Sequence, residues 1–118
     1  MRPRLDPDVY VWVTRASPAL AADAVVTVTE DEGLTAVVTQ AIADAAGVPW
    51  EFACRRITLQ VHSALEAVGL TAAFAQALTA AGISANVVAG FHHDHLFVPA
   101  DRAGDAMDAL ESLSQLGE

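Results

Sequence analysis

The sequence predicts an α+β fold, an antiparallel sheet with helices on one face, and three observations predict it. Ile57, Leu59 and Val61 alternate with Thr58, Gln60 and His62, the period-two pattern of a half-buried strand. Leu70, Phe74 and Leu78 recur every four residues, and Ala73, Ala77 and Ala81 fill the same face, as in a helix laid on a sheet. Gly33, Gly47 with Pro49, Gly82 and Pro99 stand where one element ends and the next begins.

Taken in order, residues 8–14 (Asp8-Val9-Tyr10-Val11-Trp12-Val13-Thr14) are β-branched and aromatic and read as a buried strand. Arg15 to Asp23, with Ser17-Pro18, reads as a loop. Ala24–Glu30 and Leu34–Thr39 form a hairpin across Asp31-Glu32-Gly33, where Gly suits a positive φ. Gln40–Ala46 is a short helix closed by Gly47. From Trp50 to Ser63 the chain extends, and Ser63 to Gly69 loops into the Leu70 helix. Strands Ile83–Phe91 and His95–Pro99 follow, with a turn through His92 to Asp94. A last helix starts near Asp101, with Ala103, Met107, Leu110 and Ser114 at helical spacing. The second half thus reads β-α-β-β-α, a split-βαβ or ferredoxin-like unit short of its final strand, and the apolar Val9–Val13 is a candidate for that edge. The first half reads β-β-β-α-β with no first helix. The lobes divide as 1–56 and 57–118, and Thr58, Gln60 and His62 are expected on the other face or at a dimer contact.

Composition narrows the function. Hydrophobic residues make up 53% and charged residues 18% of 118 residues, which allows a core and argues against disorder. A chain this short hides only about two-thirds of its unfolded surface, so a homodimer is expected. The net charge is −9, with 15 acidic residues against six arginines and no lysine. Such a surface repels phosphate backbones and anionic membranes, so no nucleic acid and no membrane partner is expected; solubility accounts for the acidity. The single Cys54 forms no internal disulfide and belongs to no CxxC pair. Met1-Arg2-Pro3-Arg4 does not open a leader, and no run reaches the roughly 20 apolar residues of a membrane helix. The expected address is cytoplasmic.

Two stretches carry a resemblance. Ile57-Thr58-Leu59-Gln60-Val61-His62-Ser63-Ala64-Leu65-Glu66-Ala67-Val68-Gly69-Leu70-Thr71-Ala72-Ala73 and Gly82-Ile83-Ser84-Ala85-Asn86-Val87-Val88-Ala89-Gly90, followed by His93-Asp94-His95-Leu96-Phe97-Val98-Pro99, resemble small bacterial proteins carrying ACT domains. Val9-Tyr10-Val11 and Glu32-Gly33-Leu34-Thr35 extend the likeness to the first half. The resemblance implies ferredoxin-like, ACT-type βαββαβ lobes in tandem, a fold that elsewhere binds amino acids and reports them to an enzyme. It also implies a ligand lying between two ACT units. The binding residues would be Ser63, Glu66, Ala67, Val68 and Gly69 of the loop, Leu70 with Thr71 at the helix start, and Asn86 and Val88 of the second strand. No cofactor is implied.

The chemistry of those residues is consistent with such a ligand. A helix start leaves free N–H groups and partial positive charge, which suit a carboxylate. Gly69 lets a ligand approach the backbone. Asn86 donates and accepts, and Glu66 suits an ammonium group. A plainer reading has Ser63 capping a turn, Glu66 solvated and Gly69 only permitting the bend.

His92-His93-Asp94-His95, with His62 on a neighbouring strand, carries metal-ligand chemistry. Ligands from consecutive residues at a hairpin tip splay apart, however, so the plainer reading is a polar turn in which Asp94 bonds its own backbone. A third has His93 or His95 reaching a partner subunit's pocket. Catalytic readings are weaker. Ser63 beside His62 lacks the G-x-S-x-G elbow, Cys54 sits among Trp50 and Phe52 as a structural thiol, Arg55 and Arg56 each suit an acid partner, and no carboxylate pair has acid–base context. The expectation is a non-catalytic sensor of an amino acid or similar small zwitterion. The alternative is a dimerisation module with no ligand.

Overall fold

The computed structural model describes residues 2–60 and 68–117, the stretches 68–71 and 114–117 as backbone. Its elements are β1 (Pro3–Val13), α1 (Pro18–Ala22), β2 (Val26–Glu30), β3 (Gly33–Thr39), α2 (Gln40–Ala46), β4 (Glu51–Gln60), α3 (Val68–Ala80), β5 (Asn86–Ala89), β6 (His93–Pro99), a 3₁₀ turn (Ala100–Arg102) and α4 (Ala103–Gly117). Contacts divide the chain into two units, Asp8–Cys54 and Met1–Pro7 with Arg55–Glu118. Strands β1 and β4 each run through both.

In the unit Asp8–Cys54 the strand order is β2-β3-β1-β4. β2 and β3 pair antiparallel from Val26 opposite Val37 to Glu30 opposite Gly33, and β1 pairs with β3 from Tyr10 opposite Thr39 to Val13 opposite Ala36. Alternation sends Val11, Val13, Ala36 and Val38 to one face, where Leu20 of α1 and Ala43 of α2 complete the core. α1 occupies the segment expected as a loop, so this unit is a full βαββαβ. Its five residues form a helix because Ser17 is an N-cap, its Oγ accepting from the Leu20 N–H at 3.1 Å, and Pro18 stands at the first helical position. At the hairpin Gly33 takes φ +133°, and a Cβ there would lie 3.0 Å from Arg15 Cγ.

In the other unit the order is β1-β4-β6-β5. The fourth strand that its β4-α3-β5-β6-α4 run lacks is supplied by the first half of β1, residues 3–7, not by Val9–Val13, which belong to the unit Asp8–Cys54. The Gln60 N–H donates to the Arg2 carbonyl at 3.4 Å along this pairing. Pro3 and Pro7 fit because this half of β1 is an edge of its unit, where a missing N–H disrupts no second ladder. The core joins Ile57, Leu59, Leu96 and Val98 of the strands to Phe74 and Leu78 of α3, Ile83, and Ala103, Ala106 and Leu110 of the closing helix. Arg102 donates to the carbonyls of Ala81, 3.0 Å, and Gly82, 3.5 Å, at the end of α3, where a cation is favoured.

Several expected edges move. The strand written as Ile83–Phe91 shortens to β5: Ile83 is core, and Phe91, 76% exposed, lies beyond it. β6 begins at His93, two residues early. Thr58 lies on the face away from the helices, as expected, and is buried there, sharing a 3.1 Å hydrogen bond with His95 Nδ1; Gln60 is exposed and His62 lies outside the described residues. Ser17→Ala should cost about 1 kcal/mol of stability in urea denaturation, and Leu59→Ala about 2–5 kcal/mol.

Candidate functional site

β4 leads towards α3, whose backbone is already helical at Val68, Gly69 and Leu70, two residues before the expected start. Its first turn carries N–H groups with no partner inside the helix. Ser63, Glu66 and Ala67 lie outside the described residues. Asn86, exposed, opens β5 opposite Phe97, and the half-buried Val88 lies opposite His95.

Facing follows from this register. Residues opposite one another in an antiparallel pair share a face, so Asn86 and Val88 point with Phe97 and His95 to the side of Thr58. α3 packs through Phe74 and Leu78 against Ile57, Leu59, Leu96 and Val98 on the other side. The structure therefore brings Asn86 and Val88 together but places neither on the side that α3 of the same unit covers. The β5 positions on that side are Val87, 41% exposed, and Ala89.

The histidine cluster is not a polar turn throughout. Gly90 to His93 makes the turn, with the Gly90 N–H on the His93 carbonyl at 2.8 Å, and a Cβ on Gly90 would lie 2.9 Å from that oxygen. Asp94 is already in β6 opposite Ala89 and is only 1% exposed. The period-two series Asp94, Leu96, Val98 is the signal in the sequence that places it on an inner face. Neither of its carboxylate oxygens has a hydrogen-bond partner among the described residues, nor does His93 Nδ1. Alternation sends Asp94 to one face and His93 and His95 to the other, their rings 6.4 Å apart. Among the described residues no three His, Cys, Asp or Glu side chains are grouped to hold a metal.

These positions perturb titration. Burial raises the Asp94 carboxyl above its ordinary range, opposed by the charge of His95. Burial lowers His95, helped by the charges of Arg56, His93 and Arg4 and opposed by Asp94. Burial also pushes the Cys54 thiol up to about 11, against a hydrogen bond with Trp12, and the thiol donates to the Tyr10 carbonyl at 3.3 Å. Cys54 is thus an inert core thiol.

The pH signs differ for the two groups. A raised carboxyl makes the folded state bind more protons, so Asp94 stabilises below its ordinary pKa and that contribution is lost as pH rises through the folded value. A lowered imidazole does the reverse, its contribution present above the ordinary value near 6.5 and lost as pH falls below it. Asp94→Asn should raise stability at pH 7 by on the order of 1 kcal/mol by relieving an unpartnered buried charge. Urea denaturation should show the gain shrinking towards pH 4. Native Cys54 should resist a thiol reagent at pH 8 until the protein unfolds.

Among the described residues no helix is long and apolar enough to cross a membrane. An ACT domain model matches residues 1–55, and a second ACT domain model matches residues 51–112. A search of curated proteins found no match. Among solved structures, a Vibrio cholerae protein of unknown function, described as a possible transport protein, is 43% identical, over 95% of this chain and 88% of that one, with a TM-score of 0.84. Atu0741 from Agrobacterium tumefaciens is 19% identical over 95% of this chain and 87% of that one, TM-score 0.73. The regulatory subunit of aspartate kinase from Thermus thermophilus, in its ligand-free form, shares the fold at 14% identity over 94% and 95%, TM-score 0.68. With ACT domain matches running from residue 1 to residue 112 and ferredoxin-like strand orders in both units, the chain belongs to the ACT domain family.

Proposed function

We propose that this protein is a non-catalytic regulatory ACT protein that binds an amino acid or a similar small zwitterion and acts as a cytoplasmic homodimer. Membership of the ACT domain family through two successive matches is the observation that carries this reading. The likeness in fold to a regulatory subunit of aspartate kinase supports it. The functional lobes in this reading are 1–56 and 57–118. The ligand carboxylate takes the N–H groups of the α3 start at Val68, Gly69 and Leu70, and Ser63, Glu66 and Ala67, which lie outside the described residues, belong to the same proposed site. Asn86 and Val88 supply the second wall. These two side chains face away from α3 of their own unit, so this reading takes the helix start and the Asn86 strand from different ACT units, brought together where copies of the chain meet. Ligand binding is thereby coupled to how the copies meet, which is how the signal reaches a regulated enzyme.

A dimerisation module without a ligand is the second reading. The short edge strand β5, with Val87 partly open to solvent, favours it. The two separate cleanly in a thermal-shift screen of the amino acids. A ligand at 100 times its dissociation constant should add about 2.7 kcal/mol of stability, and Asn86→Ala should abolish that gain. The absence of any shift at millimolar concentration, in a protein that remains a dimer, would sink the sensor reading and leave the module.

A further inference from the structure

A pocket of about 530 Å³ lies within the unit Asp8–Cys54, at the end of the sheet where β1 leaves and β4 enters. That volume falls in the ordinary range for small-molecule sites. Trp12 and Thr14 reach it from β1 and just beyond, Glu30 from the end of β2, Thr35 from the start of β3, and Trp50 and Glu51 from the entry to β4. Among the described residues the wall therefore offers two indoles, two carboxylates and two hydroxyls, and no cationic side chain.

Several of these groups are held in place by contacts of their own. The Trp50 indole N–H donates to Asp44 Oδ1 at 3.0 Å. The Trp12 ring lies 6.3 Å from that of Phe52, tilted by 34°, and Phe52 itself holds a left-handed φ of 57°. The Thr35 hydroxyl donates to the Glu30 carboxylate. Among the described residues neither Glu30 nor Glu51 makes an ion pair. Carboxylates unneutralised beside aromatic rings repel an anion, give a neutral molecule no advantage, and attract a cation through both charge and ring quadrupole.

We propose that this pocket binds a small organic cation carrying an ammonium or guanidinium head, at a place separate from the α3 start and β5. The indoles contact the head and stem, Glu30 and Glu51 supply the opposite charge, and Thr14 and Thr35 accept the remaining N–H groups. The site stands whether or not an amino acid binds elsewhere.

The test titrates the full-length protein with agmatine, putrescine and tetramethylammonium, following tryptophan fluorescence and the indole N–H resonances. Pentanediol and glutarate serve as neutral and anionic counterparts. At least one cation should saturate both signals, and its dissociation constant should rise about tenfold in Glu51→Gln and climb with ionic strength. Glu51 is exposed and makes no ion pair, so the substitution leaves the fold intact; Glu30→Gln provides an independent second loss of charge. Asn86→Ala should leave the titration unchanged, which keeps this result apart from the amino-acid screen. No saturation by any cation up to about 10 mM, equal binding of pentanediol, or unchanged affinity in both glutamine variants would overturn the proposal.

Discussion

The unit that holds most of the chain is completed by a strand from the opposite end of the sequence, and its sheet depends on how that strand is held. Asp6 does the holding. Arg55 donates twice to the Asp6 carbonyl, at 3.1 and 2.9 Å, and Arg56 meets the Asp6 carboxylate at 2.9 Å. Adjacent residues of β4 point to opposite faces, so one aspartate takes both guanidinium groups only by offering its backbone to one and its side chain to the other. The ion pair is partly buried, and hydrogen bonds to charged groups of this kind contribute about 1.5–3 kcal/mol each. Closing a loop of some fifty residues costs only slightly more than closing a short one, because the entropy grows with the logarithm of length. A few charge-assisted bonds plus the ladder are therefore enough to fix the register.

That arrangement explains which parts of the fold were legible in the sequence. The helix pattern of Phe74 and Leu78 and the alternation of Ile57 and Leu59 are local and appear where they were expected. The sequence shows that a fourth strand is missing, but apolar character, the only local clue to its donor, points to Val9–Val13 rather than to residues 3–7. Residues 3–7 carry two prolines and alternate poorly, as an edge may and a centre may not. The helix at Pro18–Ala22 did carry a local signal, since Ser17-Pro18 is an N-cap followed by a proline at the first position. Five residues are too few to show helical periodicity, so the same stretch also fits a loop.

The candidate sites were less legible for a different reason. Which residue types suit a zwitterion can be read one at a time, but whether Asn86 faces α3 depends on its pairing with Phe97, a tertiary fact. Asp94 is similar: beside three histidines its local sequence fits a solvated turn, and only its place in β6 reveals a buried carboxylate. The pocket of Trp12, Glu30, Trp50 and Glu51 left no trace in sequence order, because its parts come from strands that meet only after the sheet has formed.

The scarcity of cations gives both proposed sites a common logic. Of the six arginines, Arg55 and Arg56 hold Asp6, Arg15 donates to the Glu32 carbonyl at 3.3 Å, and Arg102 serves the end of α3 and Asp105. With no lysine to add, a bound carboxylate is better served by backbone N–H groups than by guanidinium, which is what the start of α3 offers. A bound amine meets the opposite situation, because a chain of net charge −9 has carboxylates in surplus. Recognition of the two ends of a zwitterion therefore draws on different resources, helix geometry for the anion and unneutralised side chains for the cation. A pocket built from the second resource alone, such as that beside Trp12 and Trp50, selects cations without needing the first.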